Sequence, residues 1–327
     1  MSMGSMAQEL ENSVNYKGNP DADRRECIVP EALAGQRLDQ ALSELYPEFS
    51  RGRLQAWIKS GKAQLNGDLK EPSDKVWGGE TIVLWPEPEP GTTPDQPEAI
   101  PLKVVFEDPA ILVVDKPAGM VVHPGNGNPS GTLLNALLHH CPQVSDLPRA
   151  GIVHRLDKET SGLLVVAKTL KAHTDLVRQL HARTVKRDYF ALVQGEIDRA
   201  GTVDMPLARD PLNRTRRAVH PLGKPAITHY SVLERFPSAT LLNCSLETGR
   251  THQIRVHMAH LRHPLVGDKV YGSTRRGRGM RFPRHALHAH RLGLVHPYSG
   301  KKMEWESPLP PDLNALLDVM RKGGTWM

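Results

Sequence analysis

Between residues 28 and 86 the apolar positions follow helical spacing twice and then strand spacing. The first predicted helix starts at about Gln36 and ends at Pro47, and its apolar positions are Leu38, Leu42 and Leu45. A second helix is predicted to begin at the Ser50 cap and to stop at Gly61, and its apolar positions are Leu54, Trp57 and Ile58. Strands at 63–65 and 80–85 follow, with an Asn66–Gly67 turn of hairpin type after the first. This order predicts a small module of two helices followed by a hairpin.

After residue 102 the apolar runs are short and dispersed, and they predict more strands than helices. The predicted strands are 111–114, 162–167, 188–193, 228–233 and 240–246. The predicted helices are 132–139, 172–183, 253–260 and a C-terminal one at 311–321. Because the strands come in uneven groups and do not alternate strictly with helices, the pattern favours an α+β fold with a mixed, largely antiparallel β-sheet.

Composition divides the chain at two places. The segment from 1 to 27 is polar and mixed in charge, which predicts a disordered tail. Residues 87–101 are rich in Pro, Glu, Gly and Thr, a composition typical of linkers. The prediction is therefore a tail at 1–27, a small domain at 28–86, a linker at 87–101 and a larger domain at 102–327.

Charge and cysteine content restrict the setting in which the protein acts. The 327 residues include 42 basic and 36 acidic side chains, and the net charge of +6 is a weak indication of a polyanionic partner. Basic residues concentrate at 209–217 and 275–284, where they suit either phosphate binding or solvated loops. The three cysteines are far apart and predict neither a disulfide framework nor a zinc site, which favours the reducing cytoplasm. No run approaches the roughly 18–20 apolar residues of a membrane span, so no membrane association is predicted.

One carboxylate stands out against this background. Asp157 lies between Arg155 and Lys158 in the sequence GIVHRLDKETSG at 151–162, and an apolar strand follows. Taken alone, such an acid is more commonly a surface turn residue. An acid among cations at the start of a sheet strand is nevertheless a candidate reactive group.

Three other segments of the larger domain are similarly dense in polar and glycine residues. They are DKPAGMVVHPG at 115–125, KRDY at 186–189 and ETGRTHQIRVH at 247–257, the last followed by HPLVGD at 263–268 and YG at 271–272. KRDY places the aromatic residue Tyr189 at the start of a predicted strand.

With these four segments in this order, the chain resembles the RluA family of RNA pseudouridine synthases over about residues 35–320. The small domain in front, with arginines on its second helix, resembles the S4 RNA-binding module. The resemblance implies a pseudouridine synthase fold and an enzyme that converts uridine in RNA to pseudouridine. In that reaction the N-glycosidic bond breaks, the uracil turns over, and its C5 bonds to the ribose C1′. The resemblance implies no cofactor and no metal.

The resemblance also assigns roles to individual residues. Asp157 matches the catalytic carboxylate, which acts either as a nucleophile at C1′ or as a base at C2′. Arg255 matches the arginine that pairs with it and so favours its ionised form. Tyr189 matches the aromatic residue that stacks on the target base, with a hydroxyl that takes part in removing the C5 proton, and Ile254 matches an apolar wall of the pocket. Arg155 matches the residue that enters the space left by the flipped uridine.

An RNA substrate follows from the same resemblance. The order of the segments and the S4-like module in front resemble the branch of the family that modifies helix 69 of 23S rRNA. The expected partner is therefore the large ribosomal subunit or its precursor, and the expected target is helix 69. Arg37, Arg51 and Arg53 match the basic face of the S4-like module. A monomeric, cytoplasmic protein is expected.

Three alternatives stay open on the sequence. One is a synthase of the same family that acts on another rRNA or tRNA site. Another is a non-catalytic RNA-binding factor in ribosome assembly. The third is a metal-dependent hydrolase, because histidines group at 252–263 and at 285–290. Their spacing lacks a metalloprotease arrangement and no cysteine lies near them in sequence, so no metal site is predicted.

Overall fold

The computed structural model describes residues 24–47, 49, 51–86, 96–125, 127–213, 216–272 and 282–323. The chain divides into two compact units, Met1–Thr92 and Thr93–Met327. The division falls inside the segment 87–101, which the sequence predicts to be a linker, and residues 87–95 of it lie outside the described part. Among the described helices, none has the length and apolar character needed to cross a membrane.

The first unit contains two helices packed on a three-stranded sheet. Its strands are β1 (Arg25–Ile28), β2 (Ala63–Leu65) and β3 (Thr81–Leu84), and its helices are α1 (Leu38–Leu45) and α2 (Arg51–Lys59). β3 lies between β1 and β2 and is antiparallel to both. Of the apolar positions predicted for the two helices, five are buried and the sixth, Leu45, packs partly buried against the same core.

Two features of the first unit differ from the prediction. β1 begins at Arg25, so the predicted tail at 1–27 overlaps a strand by three residues. Its four residues have too little pattern of their own, and pairing with β3 makes them a strand. Asn66 and Gly67 have φ angles of 54° and 81°, as a hairpin-type turn requires, but the turn closes on Asp68 and does not join β2 directly to β3. Ser50, the predicted cap of α2, lies outside the described residues.

The second unit is built on a nine-stranded sheet within the described residues. The strands of this sheet are β4 (Val104–Glu107), β5 (Ile111–Lys116), β6 (Ser161–Ala167), β7 (Lys186–Gln194), β8 (Gly201–Asp204), β11 (Ile227–Phe236), β12 (Ala239–Leu246), β13 (Leu287–Val295) and β14 (Lys302–Glu306). A separate hairpin consists of β9 (Leu207–Arg209) and β10 (Arg217–Val219). The helices are α3 (Leu133–His140), α4 (Leu170–His181), α5 (Gln253–His260) and α6 (Pro311–Arg321).

The strand order confirms a mixed, largely antiparallel sheet. It runs β4-β5-β6-β13-β7-β12-β11-β8, with β14 on β13, and β6 with β13 is its parallel pair. β6 and β13 approach closely at Gly162, where φ is +114° and a Cβ atom would lie 2.2 Å from the carbonyl oxygen of Ala289. Only glycine fits there, so the strand that follows the Asp157 loop is fixed against the middle of the sheet.

Alternate residues of the central strands fill two separate cores. In β6, Leu164 and Val166 belong to a core with α3 and α5, whereas Leu163 and Val165 belong to a core with α4. Because both faces of these strands are covered, the strands are apolar at nearly every position. This explains why β5 and β6 are readable from sequence as short apolar runs.

The sequence pattern did not reveal β13, although this strand lies between β6 and β7. Two of its positions are histidines that are bonded inside the sheet. The Nδ1 atom of His288 lies 3.0 Å from the Ser161 hydroxyl, and the Nε2 atom of His290 lies 2.8 Å from Asn243 Oδ1. Buried and bonded histidines break the apolar run by which a central strand is recognised in sequence.

Candidate active site

Asp157 lies in a loop that leads directly into β6. The loop carbonyls accept hydrogen bonds from distant parts of the unit: Lys158 from the amide of Gly119 (2.9 Å) and Glu159 from Arg284 Nη1 (3.0 Å). The side chain of Asp157 is 14% exposed. A carboxylate on a loop held at several points is positioned in advance and still accessible to a substrate.

Lys116, at the end of β5, ties the segment at 115–125 to the Asp157 loop. Its buried ammonium donates hydrogen bonds to three main-chain carbonyls, those of Pro117, Met120 and Lys158. Burial lowers the pKa of Lys116 to about 7, and the negative charge of Asp157 opposes this shift. Two of the four segments singled out in the sequence therefore meet at this amine.

The first turn of α5 is fixed by the buried side chain of Gln253. Its Oε1 accepts hydrogen bonds from the Thr248 hydroxyl (2.7 Å) and the Arg250 amide (2.9 Å). Its Nε2 donates to the carbonyl of the first residue of β11 (2.9 Å). α5 consequently begins at Gln253, as predicted, and its next two residues are buried.

Arg255 lies between two carboxylates. Its Nη1 donates to Asp157 Oδ2 at 3.0 Å, while its Nε and Nη2 donate to Asp268 at 2.7 and 3.0 Å. The sequence resemblance implied the first pair, and no sequence signal pointed to the second. Burial lowers the pKa of Arg255, but the two carboxylates outweigh it, so the pKa is raised overall and the guanidinium stays charged.

His252 and Tyr271 form a second arm beside Asp157. His252 Nε2 lies 3.9 Å from Asp157 Oδ1, and its Nδ1 lies 2.8 Å from the Tyr271 hydroxyl. The Tyr271 ring lies 5.0 Å from the Arg255 guanidinium carbon. Burial lowers the pKa of His252, which makes it a neutral hydrogen-bonding group at neutral pH. Both residues belong to the segment group 247–272, and the family resemblance assigned neither of them a role.

Tyr189 and Ile254 are buried in the same core, at 6% and 3% exposure. Burial raises the pKa of Tyr189 to about 12; Arg187 opposes the shift and the charge of Asp157 adds to it. The Asp157 charge therefore acts on the Tyr189 phenol, which stays protonated at neutral pH. Asp157, Tyr189 and Ile254, which were predicted to surround the uridine, therefore lie in one region of the second unit.

Neither of the two cations that flank Asp157 in sequence is among its ion-pair partners in the described part of the chain. Arg155 is exposed. Lys158 is also exposed, and its Nζ donates to Asn128 Oδ1 at 3.2 Å. The pairing of Asp157 with a cation is thus made by Arg255, 98 positions away in sequence.

Two of the three predicted RNA-binding arginines of the first unit share one anchor. Arg37 and Arg51 both pair with the buried carboxylate of Asp39, at 3.1 and 2.9 Å, and about half of each arginine side chain is exposed. Arg53 lies over the ring of Trp57 at 4.6 Å. These contacts hold three arginines near the N-terminal half of α2, and their role in RNA binding remains a prediction.

The two basic clusters differ in what the structure describes. In the first, the Arg217 amide donates to the Tyr271 hydroxyl (2.8 Å), so the β9–β10 hairpin contacts the candidate active site. Most of the cluster at 275–284 lies outside the described residues. Its last member, Arg284, is buried and paired with Asp312 at 2.7 Å, which gives it a structural role in holding the Asp157 loop and α6.

Neither histidine group forms a metal-binding cluster in the described part of the chain. The group of potential ligands found there is Glu107, His140 and Cys141 instead. Lys168 Nζ already pairs with Glu107 Oε1 at 2.6 Å. Burial, aided by Glu107, raises the pKa of the Cys141 thiol to about 11, so the thiolate that a metal needs is disfavoured.

Known proteins resemble this chain in sequence and in fold. A model of the RNA pseudouridylate synthase family matches residues 110–260. Ribosomal large subunit pseudouridine synthase D of Nitrosomonas europaea is 54% identical, covering 94% of this chain and 93% of its own. The protein of the same name from Escherichia coli K12 is 51% identical, covering 90% of this chain and 94% of its own.

Two solved human structures share the fold. RNA Pseudouridylate Synthase Domain Containing 1 is 26% identical, with a TM-score of 0.52 over 70% of this chain and 98% of its own. RNA Pseudouridylate Synthase Domain Containing 4 is 23% identical, with a TM-score of 0.53 over 67% of this chain and 92% of its own. At this identity the likeness shows the fold alone. The predicted family, fold class and type of enzyme are confirmed. The chain belongs to the RNA pseudouridylate synthase family, within the group of ribosomal large subunit pseudouridine synthases D, and is an RNA pseudouridine synthase.

Proposed function

We propose that this synthase isomerises uridines in large-subunit rRNA, with Asp157 as the catalytic residue. The observation that supports the catalytic assignment is the partly exposed Asp157 carboxylate, held at 3.0 Å by buried Arg255. The substrate is proposed from the relatives, which are named for the ribosomal large subunit and match at 51–54% identity over at least nine tenths of this chain.

The reaction requires the target uridine to leave its helix, because C1′ and C5 cannot react within a base stack. Arg155 is exposed two positions before Asp157, which suits a residue that enters the vacated space. Unstacking costs a few kcal/mol, and a cation that contacts the remaining bases and phosphates offsets part of it.

Asp157 acts on the sugar, and either mechanism requires its ionised form. As a nucleophile it bonds to C1′ while the C1′–N1 bond breaks. As a base it removes the C2′ proton and a glycal forms. In both, uracil rotates and its C5 bonds to C1′. In the nucleophilic route the Asp157–C1′ bond breaks at this point, and in the glycal route C2′ regains its proton. The C5 proton is then lost as N1 gains one, so the product is an isomer of the substrate. The Arg255 guanidinium stabilises the carboxylate at the start of the cycle.

Tyr189 is proposed as the platform for the uracil ring. Its raised pKa means that the phenol carries its proton at neutral pH. It is therefore suited to stacking and hydrogen-bond donation. For Tyr189 to accept the C5 proton, it must pass its own proton to another acceptor in the same step.

Replacing Asp157 tests the catalytic assignment. In Asp157→Asn we expect tritium release from 5-tritiated uridine in transcribed rRNA to fall by roughly 10⁴-fold or more, because the amide is neither nucleophilic nor basic. RNA affinity and the unfolding transition are expected to stay close to wild type. Asp115→Asn is a matched control, since the Asp115 side chain is 11% exposed and pairs with Lys103. Wild-type release from Asp157→Asn contradicts the assignment.

The target within rRNA is proposed to be helix 69. Mapping of pseudouridine in rRNA and tRNA from a strain that lacks this gene tests it directly. We expect the helix 69 pseudouridines to disappear and to return with a plasmid copy of the wild-type gene. Loss at another rRNA position or in tRNA indicates a synthase of the same family with a different target.

We further propose a cytoplasmic monomer, with the N-terminal unit acting as an S4-like RNA-binding domain. All three cysteines are free thiols, of which Cys141 and Cys244 are buried, and this suits a reducing compartment. Light scattering of the purified protein measures the oligomeric state, and a mass of twice that of the chain contradicts a monomer.

A further inference from the structure

The Arg255 guanidinium makes more hydrogen bonds to Asp268 than to Asp157. Asp268 receives the two-bond fork from Nε and Nη2, whereas Asp157 receives a single bond from Nη1. The Asp268 side chain is fully buried and that of Arg255 is 6% exposed, so the fork is shielded from water. The stronger, bidentate interaction is thus made with the carboxylate that the proposed reaction does not use.

Asp268 is itself held in place by the main chain. Its Oδ1 accepts hydrogen bonds from the amides of Val270 (2.9 Å) and Tyr271 (3.1 Å). The turn is tight at Gly267, where φ is +74° and a Cβ atom would lie 2.0 Å from the Arg284 carbonyl oxygen. The amide of Val266 bonds to the Leu192 carbonyl in β7. Asp268 therefore projects from a turn anchored to the central sheet.

The same carboxylate determines the second arm beside Asp157. Asp268 accepts a hydrogen bond from the Tyr271 amide and so fixes Tyr271 in place. The Tyr271 ring lies against Arg255, and its hydroxyl lies 2.8 Å from His252 Nδ1. His252 in turn lies 3.9 Å from Asp157. One buried side chain thus positions the groups on both oxygens of Asp157.

We propose that Asp268 is a positioning residue that orients Arg255 and Tyr271 and keeps Asp157 reactive by taking part of the Arg255 charge. This rests on the proposed catalytic role of Asp157. With two carboxylates sharing one guanidinium, the trio carries a net charge of −1. Asp157 therefore receives one hydrogen bond from a guanidinium whose other two bonds and part of whose charge go to Asp268.

Other charged or titratable groups also face Asp157, and the test has to separate them from Asp268. Lys116 acts from the end of β5, Tyr189 from β7, His252 from the start of α5 and His285 from the segment before β13. These residues are present in both Asp268 variants, and any displacement of the arm at His252 is common to the two. If Asp268→Asn moves the acid limb of the pH–rate profile and Asp268→Glu does not, the movement is caused by the loss of negative charge at position 268.

The experiment measures the single-turnover rate of pseudouridine formation against pH for Asp268→Asn and Asp268→Glu. In Asp268→Asn we expect the rate to fall by roughly 10²-fold, as a displaced catalytic group produces. We also expect the acid limb of the pH profile to move to lower pH, because Arg255 then acts on Asp157 alone. Affinity for the rRNA fragment is expected to stay within about twofold. In Asp268→Glu the rate is reduced while the acid limb stays in place.

Asp312→Asn is the matched control, since Asp312 accepts the Nε and Nη2 fork of Arg284 at the same 2.7 and 3.0 Å. It is expected to lower thermal stability and to leave the acid limb unmoved. A folded Asp268→Asn with a wild-type rate, or with a reduced rate and an unmoved acid limb, overturns the proposal. If Asp268→Asn does not fold, a wild-type rate in Asp268→Glu overturns it and a reduced rate with an unmoved limb supports it. Asp157→Asn is assayed in parallel, and its activity would instead contradict the proposed function.

Discussion

At the scale of single residues, Asp157 and Asp268 share the charge of Arg255 but differ in their exposure to solvent. Both contact Arg255, yet only Asp268 is fully buried, and only Asp157 retains access to solvent. Burial opposes ionisation of Asp268, but hydrogen bonds and charge from Arg255 lower its pKa overall. The buried acid therefore stays ionised as a fixed partner, and the exposed acid is left for chemistry.

Tyr189→Phe separates the ring of this residue from its hydroxyl. The phenyl ring fills the same buried volume, so we expect unfolding and RNA affinity close to wild type. Tritium release is expected to fall, because the phenol that assists loss of the C5 proton is gone. A Tyr189→Leu variant serves as comparison, since it also removes the stacking surface, which is worth about 1–3 kcal/mol per base. Release at the wild-type rate from Tyr189→Phe excludes the hydroxyl from the mechanism.

At the scale of elements, the Asp39 carboxylate connects the starts of α1 and α2. It accepts hydrogen bonds from Arg37, Arg51 and Gln55, and its own side chain is fully buried. Burial raises its pKa, but these three partners outweigh it and lower the pKa to about 2. The arginines proposed to contact RNA are consequently part of the core-facing structure of the first unit as well as its surface.

The lowered pKa of Asp39 predicts a specific dependence of stability on pH. Because the folded value is below the unfolded value of 3.8, the stabilisation is complete above about pH 4 and is lost as the pH falls towards 2. In Asp39→Asn we expect the free energy of unfolding of the first unit to fall by about 1–3 kcal/mol at neutral pH. The difference from wild type is expected to shrink below pH 4. Urea unfolding followed by tryptophan fluorescence measures both, and a difference independent of pH contradicts the assignment.

At the scale of the whole molecule, RNA affinity and chemistry are assigned to different units. The proposed catalytic residues all belong to the unit Thr93–Met327, and the proposed S4-like arginines belong to Met1–Thr92. An arginine that contacts phosphate contributes through counterion release, which is independent of the chemical step. Substitutions in the first unit are therefore expected to change binding without changing the rate at saturating RNA.

Arg51→Gln tests this division of labour. If Arg51 contacts one phosphate, the slope of log affinity against log salt falls by about 1, and binding weakens for every RNA sequence. The single-turnover rate at saturating RNA is expected to match wild type. Arg178→Gln is the control, because Arg178 on α4 is also an exposed, ion-paired arginine but belongs to the second unit. An unchanged salt slope in Arg51→Gln contradicts the proposed RNA face.

Local patterns were sufficient for much of this protein. The apolar spacing of residues 38–45 and 311–321 gave helices with little or no error, since each has a clear apolar face and a clear end. The helix at 253–260 was also predicted correctly, although its first six residues are all buried. The family resemblance identified Asp157 and Arg255 as a pair before any distance was known. β13 escaped prediction because its histidines interrupt the apolar run, and their partners on β6 and β12 lie more than 40 positions away.

The sequence by itself determined the family and the α+β class, and it led to the proposal of Asp157 as the catalytic carboxylate, because these depend on residue type and local order. The tertiary structure decided which cation that carboxylate meets. Arg155 and Lys158 are adjacent in sequence but exposed, whereas α5 brings Arg255 to 3.0 Å. The tertiary structure also places Asp268 at the same guanidinium, with its Oδ2 atom 2.7 Å from Arg255 Nε. Contacts of this kind depend on how distant elements pack, and no local pattern records them.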